Sequence, residues 1–406
     1  MSGPAPLACL RAACEGVARV GVAVSGGGDS VAALVLAVEA LGPGRVAAVS
    51  VDHGLRPEAA TEVAGVAALC ARLGVTHATL RWDSGHRGNL MAAARDARLG
   101  LIAAWAKGRV NAVILAHTLD DQAETVLMRL ARGSGVDGLA GMAARREAMG
   151  MTWLRPFLNV SRAALRAELV ARGIGWIEDP TNADPQYLRV RARQALGAVA
   201  AMGITAQGLA ATAVRMRRAQ EVLAQQAQAA LEAMVREERG TLLIDRAALA
   251  LPGETRARLV SHLLGHLSGA AHRPRLAEVE RLIAAAHGTL GGCVLAPEGA
   301  SLRLWREARA VRGGDPWDGR WQARGPGAGQ IGPLGEAGLL ALSRQAAAGL
   351  HPHWRGTGLP RAALAGLPGI WHDGALIASP LTFWPQGWAL YARPLAAIVT
   401  PGSLSH

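Results

Sequence analysis

Lysine is almost missing from this chain: Lys107 is the only one among 406 residues. That scarcity excludes a Walker-type phosphate loop, because Lys107 stands in Ala106-Lys107-Gly108 and cannot serve a glycine-rich turn elsewhere. Aromatic residues make up only 4% of the sequence, so its hydrophobic half consists mainly of small aliphatic side chains. The four cysteines, Cys9, Cys14, Cys70 and Cys293, are spaced for neither a metal nor a disulfide framework. They are expected to be buried small hydrophobes in a reducing compartment. No apolar run is long enough to span a bilayer. The first residues, Met1 to Ala13, lack the basic segment and apolar stretch of a secretory signal. The expectation is therefore a cytoplasmic protein with no membrane partner.

What the chain does carry is positive charge, a net +12 held almost wholly by arginine. A balance of that sign favours a polyanionic partner, although the arginine bias alone says little about binding chemistry. The length calls for two or three domains. In the first half, short β-rich runs (Val20–Val24, Arg45–Val51, Thr76–Leu80, Asn111–Ala116) alternate with amphipathic or alanine-rich helical stretches. This rhythm predicts an α/β fold, a parallel sheet with helices on both faces. From Thr205 to Glu238 the pattern turns helical. No tryptophan lies between Trp176 and Trp305, whereas seven fall from Trp305 to Trp388. Boundaries are placed near residue 200 and, at Gly313-Gly314-Asp315-Pro316, near residue 315. The expected parts are a catalytic domain (1–200), a helical and mixed region (201–314) and a smaller α+β region (315–406).

Ligands of parallel α/β sheets sit beyond the carboxyl ends of the strands, and the polar clusters here lie at those ends. Ser25-Gly26-Gly27-Gly28-Asp29-Ser30 follows the first strand and opens a helix. Three glycines let the backbone turn tightly and approach an anion, and the helix start favours a phosphate group. Asp52 and His53 close the second strand. His117-Thr118-Leu119-Asp120-Asp121-Gln122-Ala123-Glu124-Thr125 follows the fourth. On a helix His117, Asp121 and Thr125 would share one face, and Asp120 and Glu124 the next. Acidic residues at a helix start also cap it and complement its dipole, so both roles stay open for Asp120. The glycine-rich run from Gly133 to Gly141 follows a helix rather than a strand, so a dinucleotide-binding turn is not expected there.

The string Ser-Gly-Gly-x-Asp-Ser resembles the signature of PP-loop ATP pyrophosphatases, which cleave ATP between the α and β phosphates and adenylate a substrate oxygen. Together with the His117–Thr125 segment, Arg155-Pro156-Phe157-Leu158 and Glu178-Asp179-Pro180-Thr181-Asn182, the order resembles the tRNA(Ile)-lysidine synthetase family. The likeness is dense from Val20 to Arg193, with a looser echo in Gly288–Cys293 and Arg306-Glu307. It departs from the family pattern at Met91, Leu99 and Val190. The resemblance implies an adenine nucleotide alpha hydrolase-like fold, followed by a helical segment and a smaller α+β C-terminal region. It also implies ATP and Mg²⁺ as cofactors, with free lysine and a tRNA(Ile) bearing a CAU anticodon as substrates. ATP would adenylate O2 of the wobble cytidine, and the lysine ε-amine would attack C2 and displace AMP. A monomer and a homodimer both stay open.

Given that reaction, Ser25, Gly26, Gly27, Gly28, Asp29, Ser30, Asp52 and His53 are expected at the nucleotide. Asp29 and Asp121 are candidate Mg²⁺ ligands, and they and His117 are the candidate catalytic groups. Asp120 and Glu124 are expected near lysine or tRNA, Glu124 with Asp121 as the acidic pocket for the amine. Arg95, Arg98, Arg189, Arg191 and Arg193 are candidate phosphate or nucleic-acid contacts. Three other readings compete. A tRNA thiolase of the iron–sulfur or persulfide kind needs paired cysteines, and Cys9 and Cys14 are too widely spaced. A small-molecule amidating synthetase leaves the basic C-terminal half unexplained. A non-catalytic tRNA-binding protein would not need the intact loop or Asp120-Asp121.

Overall fold

Alternation of buried β-branched strands with apolar-faced helices builds the first part of the chain. The computed structural model describes residues 4–52, 59–82, 90–178, 186, 188–270, 274–396 and 398, with 59–60 and 90–96 described by their backbone only. The described chain divides into two compact units, the first running to residue 220 and the second beginning at residue 221.

In the first unit the order is α1 (Pro6–Ala13), β1 (Val20–Ala23), α2 (Gly28–Leu41), β2 (Val46–Asp52), α3 (Ala59–Arg72), β3 (Thr76–Arg81), α4 (Leu90–Ala106), β4 (Ala112–Ile114) and α5 (Leu119–Leu130). Then come α6 (Val136–Leu139), β5 (Arg145–Ala148), β6 (Met151–Leu154), α7 (Arg162–Ala171), α8 (Leu188–Val199) and α9 (Ala206–Met234), whose residues from 221 on belong to the second unit. The strands form one six-stranded sheet in the order β3-β2-β1-β4-β6-β5. Every neighbouring pair is parallel except β5 with β6. All four expected strands are present, although β3, expected to be buried, lies at the edge of the sheet and is half exposed.

Period-two alternation sends successive side chains to opposite faces, and both faces are covered. Val20, Val22, Val46, Ala48, Ala112 and Ile114 pack with Leu10, Leu34, Leu36, Leu165 and Leu169 from α1, α2 and α7. On the opposite face Ala47, Val49, Val113 and Trp153 meet Leu99, Ile102 and Ala106 from α4. Strands buried on both sides read as continuous apolar runs, which is why they were legible. Leu99, one of the departures from the family pattern, is a core residue of this second face, and Val190 is likewise buried.

The helical pattern from Thr205 to Glu238 ends earlier than expected. The helix α9 stops at Met234, and Val235–Glu238 forms β7, which pairs with β8 (Thr241–Asp245). The second unit continues with α10 (Gly253–Ser268), α11 (Leu276–Ala285), β9 (Gly288–Leu290), β10 (Cys293–Glu298) and β11 (Ser301–Arg306). Its first sheet is antiparallel, order β7-β8-β11-β10-β9, and packs its apolar face with α10 and α11. Beyond it lie β12 (Trp321–Arg324), β13 (Gln330–Pro333), α12 (Gly335–Ala347), α13 (Arg361–Ala365), β14 (Pro368–His372), β15 (Ala375–Ala378) and β16 (Ala389–Ala392). Strands β12 and β16 pair, and β13-β14-β15 form a separate sheet with its own core around Leu339, Leu342, Trp354 and Leu364. That second core is the physical basis on which we keep a boundary near residue 315 as a proposal.

Among the described residues no single helix is long and apolar enough to cross a membrane; only α8 with α9, bent by 98°, passes together on length and composition. Leu34 lies on α2, fully buried under the sheet beside the glycine turn. Truncating a buried leucine costs about 2–5 kcal/mol. Leu34→Ala is therefore expected to lower the urea midpoint with an unchanged denaturant slope, measured by circular dichroism.

Candidate active site

The glycine turn is shaped by what packs on it. Gly26 adopts φ +88, and a Cβ there would stand 3.0 Å from Ile177 Cδ1. A Cβ on Gly28 would stand 3.2 Å from the Trp176 ring. Ile177 N–H donates to Gly26 O at 3.0 Å, so the Trp176-Ile177 segment seats against the loop backbone. The left-handed turn at Gly26 suits glycine, and the close approach of the Trp176 ring explains the glycine at position 28. The two serines largely brace the loop. Ser30 Oγ donates to Gly27 O at 2.9 Å and receives the Ser25 N–H at 3.1 Å, with Ser25 Oγ 3.2 Å away. Ser30 is buried, whereas Ser25 is exposed and can face a ligand. Gly27 caps α2 without a side-chain acceptor, so the helix start offers backbone N–H donors, as an anion site requires.

Strand β4 delivers the second cluster to the same edge of the sheet. Thr118 caps α5, and Asp121 completes a capping box: its Oδ2 accepts the Thr118 N–H at 2.8 Å and hydroxyl at 2.9 Å. His117 therefore precedes the helix instead of sharing its face with Asp121, a correction to the helical reading. The capping role left open for Asp120 belongs to another helix: its Oδ2 accepts the Arg162 N–H, the first of α7, at 2.7 Å.

One side chain joins these pieces. Arg162 Nε lies 3.1 Å from Asp29 Oδ2, and its Nη2 lies 3.1 Å from Asp121 Oδ1 and 3.8 Å from Glu124 Oε1. On the far side Arg193 Nε meets Glu124 Oε1 at 2.9 Å. Glu124 is 1% exposed. Its Oε2 and Asp29 Oδ1 have no hydrogen-bond partner among the described residues. Burial pushes the Asp29 and Glu124 carboxyls above their usual range, aided by the neighbouring Asp121 charge and opposed by arginine. Burial acts on Asp121 in the same sense, but Arg162, the Thr118 N–H and Arg189 oppose it and that carboxyl is held low.

His117 sits among arginines. Arg155, fully buried, donates from Nε to His117 Nδ1 at 3.1 Å and from Nη1 to Ala143 O at 3.0 Å. An accepting Nδ1 fixes the neutral tautomer with its proton on Nε2. Burial, then Arg155, Arg189 and Arg98, hold the imidazole far below its ordinary pKa. Arg189 carries two buried guanidinium nitrogens, Nε and Nη2, with no partner among the described residues. Arg191 is exposed. Asp52 ends β2, with Arg81 Nε 3.9 Å away, and makes no described contact with the glycine turn. His53 and the side chain of Arg95 lie outside the described residues.

Arg162 and Arg155 were not among the expected site residues. Arg155 stands in the Arg155–Leu158 segment and was legible as a motif only. Arg162 had a local signal: a cation at the first position of a helix opposes the dipole, so it needs acidic partners from elsewhere. In the second unit several arginines that swell the net charge are spent internally. Arg303 is buried against Glu238 and Glu298, and Arg306 against Asp318. Gly292, in the glycine-rich echo, gives its carbonyl to Arg306 Nη1 at 2.8 Å. That echo is thus a structural device.

The parallel sheet, the glycine turn opening α2 and the acidic cluster at the strand ends define a PP-loop nucleotide-binding protein. In agreement, the PP-loop domain family matches residues 9–200. A tRNA(Ile)-lysidine synthase of Ruegeria pomeroyi is 45% identical over 386 residues, covering 91% of this chain and 90% of its own. One from Methylobacterium nodulans is 42% identical, covering 70% and 88%. One from Rhodopseudomonas palustris is 44% identical, covering 64% and 78%. The chain belongs to the tRNA(Ile)-lysidine synthase family.

A histidine held neutral in the fold binds fewer protons than in the unfolded chain, so its contribution to stability is intact above the unfolded pKa of 6.5 and is lost as pH falls below it. Between about pH 6.5 and 5, the unfolding free energy of the wild type should therefore fall more steeply than that of His117→Gln, measured by urea titration. Equal slopes would show that His117 takes a proton freely in the fold.

Proposed function

We propose that this chain ligates free lysine to C2 of the wobble cytidine of a tRNA(Ile) with a CAU anticodon, using ATP to adenylate the base. The near full-length match to lysidine synthases carries the reaction. The geometry supports an assignment of roles. The backbone of Gly26–Gly28, the exposed Ser25 hydroxyl and the start of α2 receive the phosphates of ATP. Asp29, with one buried carboxylate oxygen unpartnered, suits Mg²⁺, which takes one or two carboxylates and completes its shell with phosphates and water. Asp121 suits it less well, since both its oxygens are engaged. A bound Mg²⁺ would offset the charge that builds up on the phosphates.

The second step needs a positioned and deprotonated amine. Asp121, held ionised, attracts the lysine ε-ammonium. Glu124, raised in pKa and carrying a free Oε2, is the stronger base of the pair and takes the proton as nitrogen bonds to C2 and AMP leaves. His117, neutral with Nε2–H, and the partly unpartnered Arg189 form with Arg98 a donor set beside the acidic pocket. We assign it to the phosphate that joins AMP to the base, where negative charge develops. Exposed arginines such as Arg191 hold the tRNA through its phosphates. The thiolase alternative finds no cysteine in this site: Cys14, Cys70 and Cys293 are buried and pushed up to about 11 by burial.

Incubation with ATP, Mg²⁺, labelled lysine and tRNA bearing CAU should place label in the tRNA, and none should appear when ATP is omitted. Failure to label would refute the proposed reaction. Asp29→Ala is expected to lower incorporation by about 10²-fold or more while keeping its melting temperature near that of the wild type. Glu124→Gln should lower kcat far more than it raises KM for lysine.

A further inference from the structure

The assignment above gives no task to Arg162, which touches more of the site than any other side chain. Its guanidinium lies between the carboxylate of the glycine turn and both carboxylates given to the amine: 3.1 Å to Asp29, 3.1 Å to Asp121 and 3.8 Å to Glu124. Its backbone N–H is fixed to Asp120, so the side chain, not the helix, is the part free to move. With Arg193 counted, two guanidinium groups face three carboxylates. Arg166 and Arg189 act on Asp29 and Asp121 only from farther off. Glu124, 1% exposed, keeps Oε2 without a partner among the described residues. A buried carboxylate oxygen without a donor is costly to retain, and here it points to a cationic ligand that the resting cluster lacks.

Resting on the lysine-ligation reading, we propose that Arg162 is a positioning residue that occupies the amine pocket as an internal cation until nucleotide binds, and so makes lysine binding depend on nucleotide. Without nucleotide, Asp29 and Asp121 clamp the guanidinium from two sides, and an incoming ammonium must compete with it. When Mg²⁺ and nucleotide take the free Oδ1 of Asp29, the carboxylate shares its charge with them, its Oδ2 holds Nε less firmly, and the clamp is weakened on that side. The guanidinium can then swing toward the phosphates, where a cation is also favoured, and Asp121 and Glu124 open to the lysine ε-ammonium. A ligand shifts such an equilibrium only through its different affinity for the two states; here the difference is how firmly Asp29 holds Nε. The coupling is reciprocal, so lysine would tighten nucleotide binding by the same factor. The device orders the reaction: the amine is admitted only where a base can already be adenylated.

The test is equilibrium binding of radiolabelled lysine to the full chain with saturating CAU tRNA, with and without Mg²⁺ and α,β-methylene ATP, which cannot release pyrophosphate. In the wild type, nucleotide is expected to tighten lysine binding by about tenfold, within the usual range of coupling between sites. In Arg162→Gln that factor should fall below about twofold, through tighter binding without nucleotide. Arg162→Lys keeps the charge but carries it on one nitrogen instead of the two that reach Asp29 and Asp121, and should fall between them. A wild type indifferent to nucleotide overturns the proposal. So does an Arg162→Gln protein that retains the full factor, or loses it only through weaker binding with nucleotide present. If Arg162→Gln fails to fold by thermal melting, Arg162→Lys decides: an undiminished factor overturns the proposal. Wild-type lysine incorporation into the tRNA is measured in parallel. Its absence refutes the lysine-ligation reading and this inference with it, whereas incorporation with an undiminished factor in the variants refutes the inference alone.

Discussion

The guanidinium of Arg162 is the constraint on which the arrangement of this site depends. It reaches Asp29 across 133 residues of sequence and Asp121 across 41. Through it, the helix of the glycine turn, the helix after β4 and the helix after β6 are tied to one point. Three carboxylates packed this closely would otherwise repel one another in a setting with little water to screen them. Arg162 makes the cluster tolerable, and Arg193 relieves Glu124 from the opposite side. The three carboxyls respond differently because their surroundings differ. Asp121 gains backbone and hydroxyl donors from its own cap, while Asp29 and Glu124 each keep an oxygen that no described residue satisfies. A site built this way separates an anchor that stays ionised from a base that takes a proton readily.

Beside the acidic cluster lies its electrostatic opposite. Arg155 is fully buried and donates to His117 and to the Ala143 carbonyl, among its contacts. It keeps the histidine neutral and oriented, and with Arg98 and Arg189 it surrounds the ring with positive charge. Acidic and basic halves set next to one another on a single sheet edge suit a reaction that brings a cationic amine to a centre bonded to phosphate. The sheet edge itself is ordinary. What distinguishes it is that β1, β4 and β6 end side by side, each followed by a helix whose first turn carries charged side chains.

Much of the first unit was legible in the sequence, because its central strands β1, β2 and β4 are largely buried on both faces and so appear as apolar runs. The glycine turn was legible for a related reason: only glycine readily accepts the φ of +88 at position 26. The packing of Trp176 and Ile177 onto that turn was not legible, since nothing in either segment refers to the other. The helix through Thr205–Glu238 was read four residues too long. Val235–Glu238 continues an even polar pattern, and its strand state is decided by pairing with Thr241–Asp245, a partner that intrinsic propensity does not consult. The basic balance of the chain was legible as a number but not as a surface. Arg303, Arg306 and Arg320 are buried and paired, which no count of charges reveals.

By itself the sequence determined the parallel α/β architecture, the place of the glycine turn, and some of the charged residues near it, Asp29, Asp121 and Glu124, but not Arg162 or Arg155. These are set by local periods, by backbone freedom at glycine and by the rule that loops at one edge of a parallel sheet converge. Only the tertiary structure decided which charge meets which: that Asp121 caps its own helix, that Asp120 serves the start of α7, and that Asp29 shares Arg162 with Asp121. The physical reason is range. Periodicity and turn conformation act within a few residues of the chain, whereas an ion pair depends on distances of a few ångströms between segments that only the finished packing brings together.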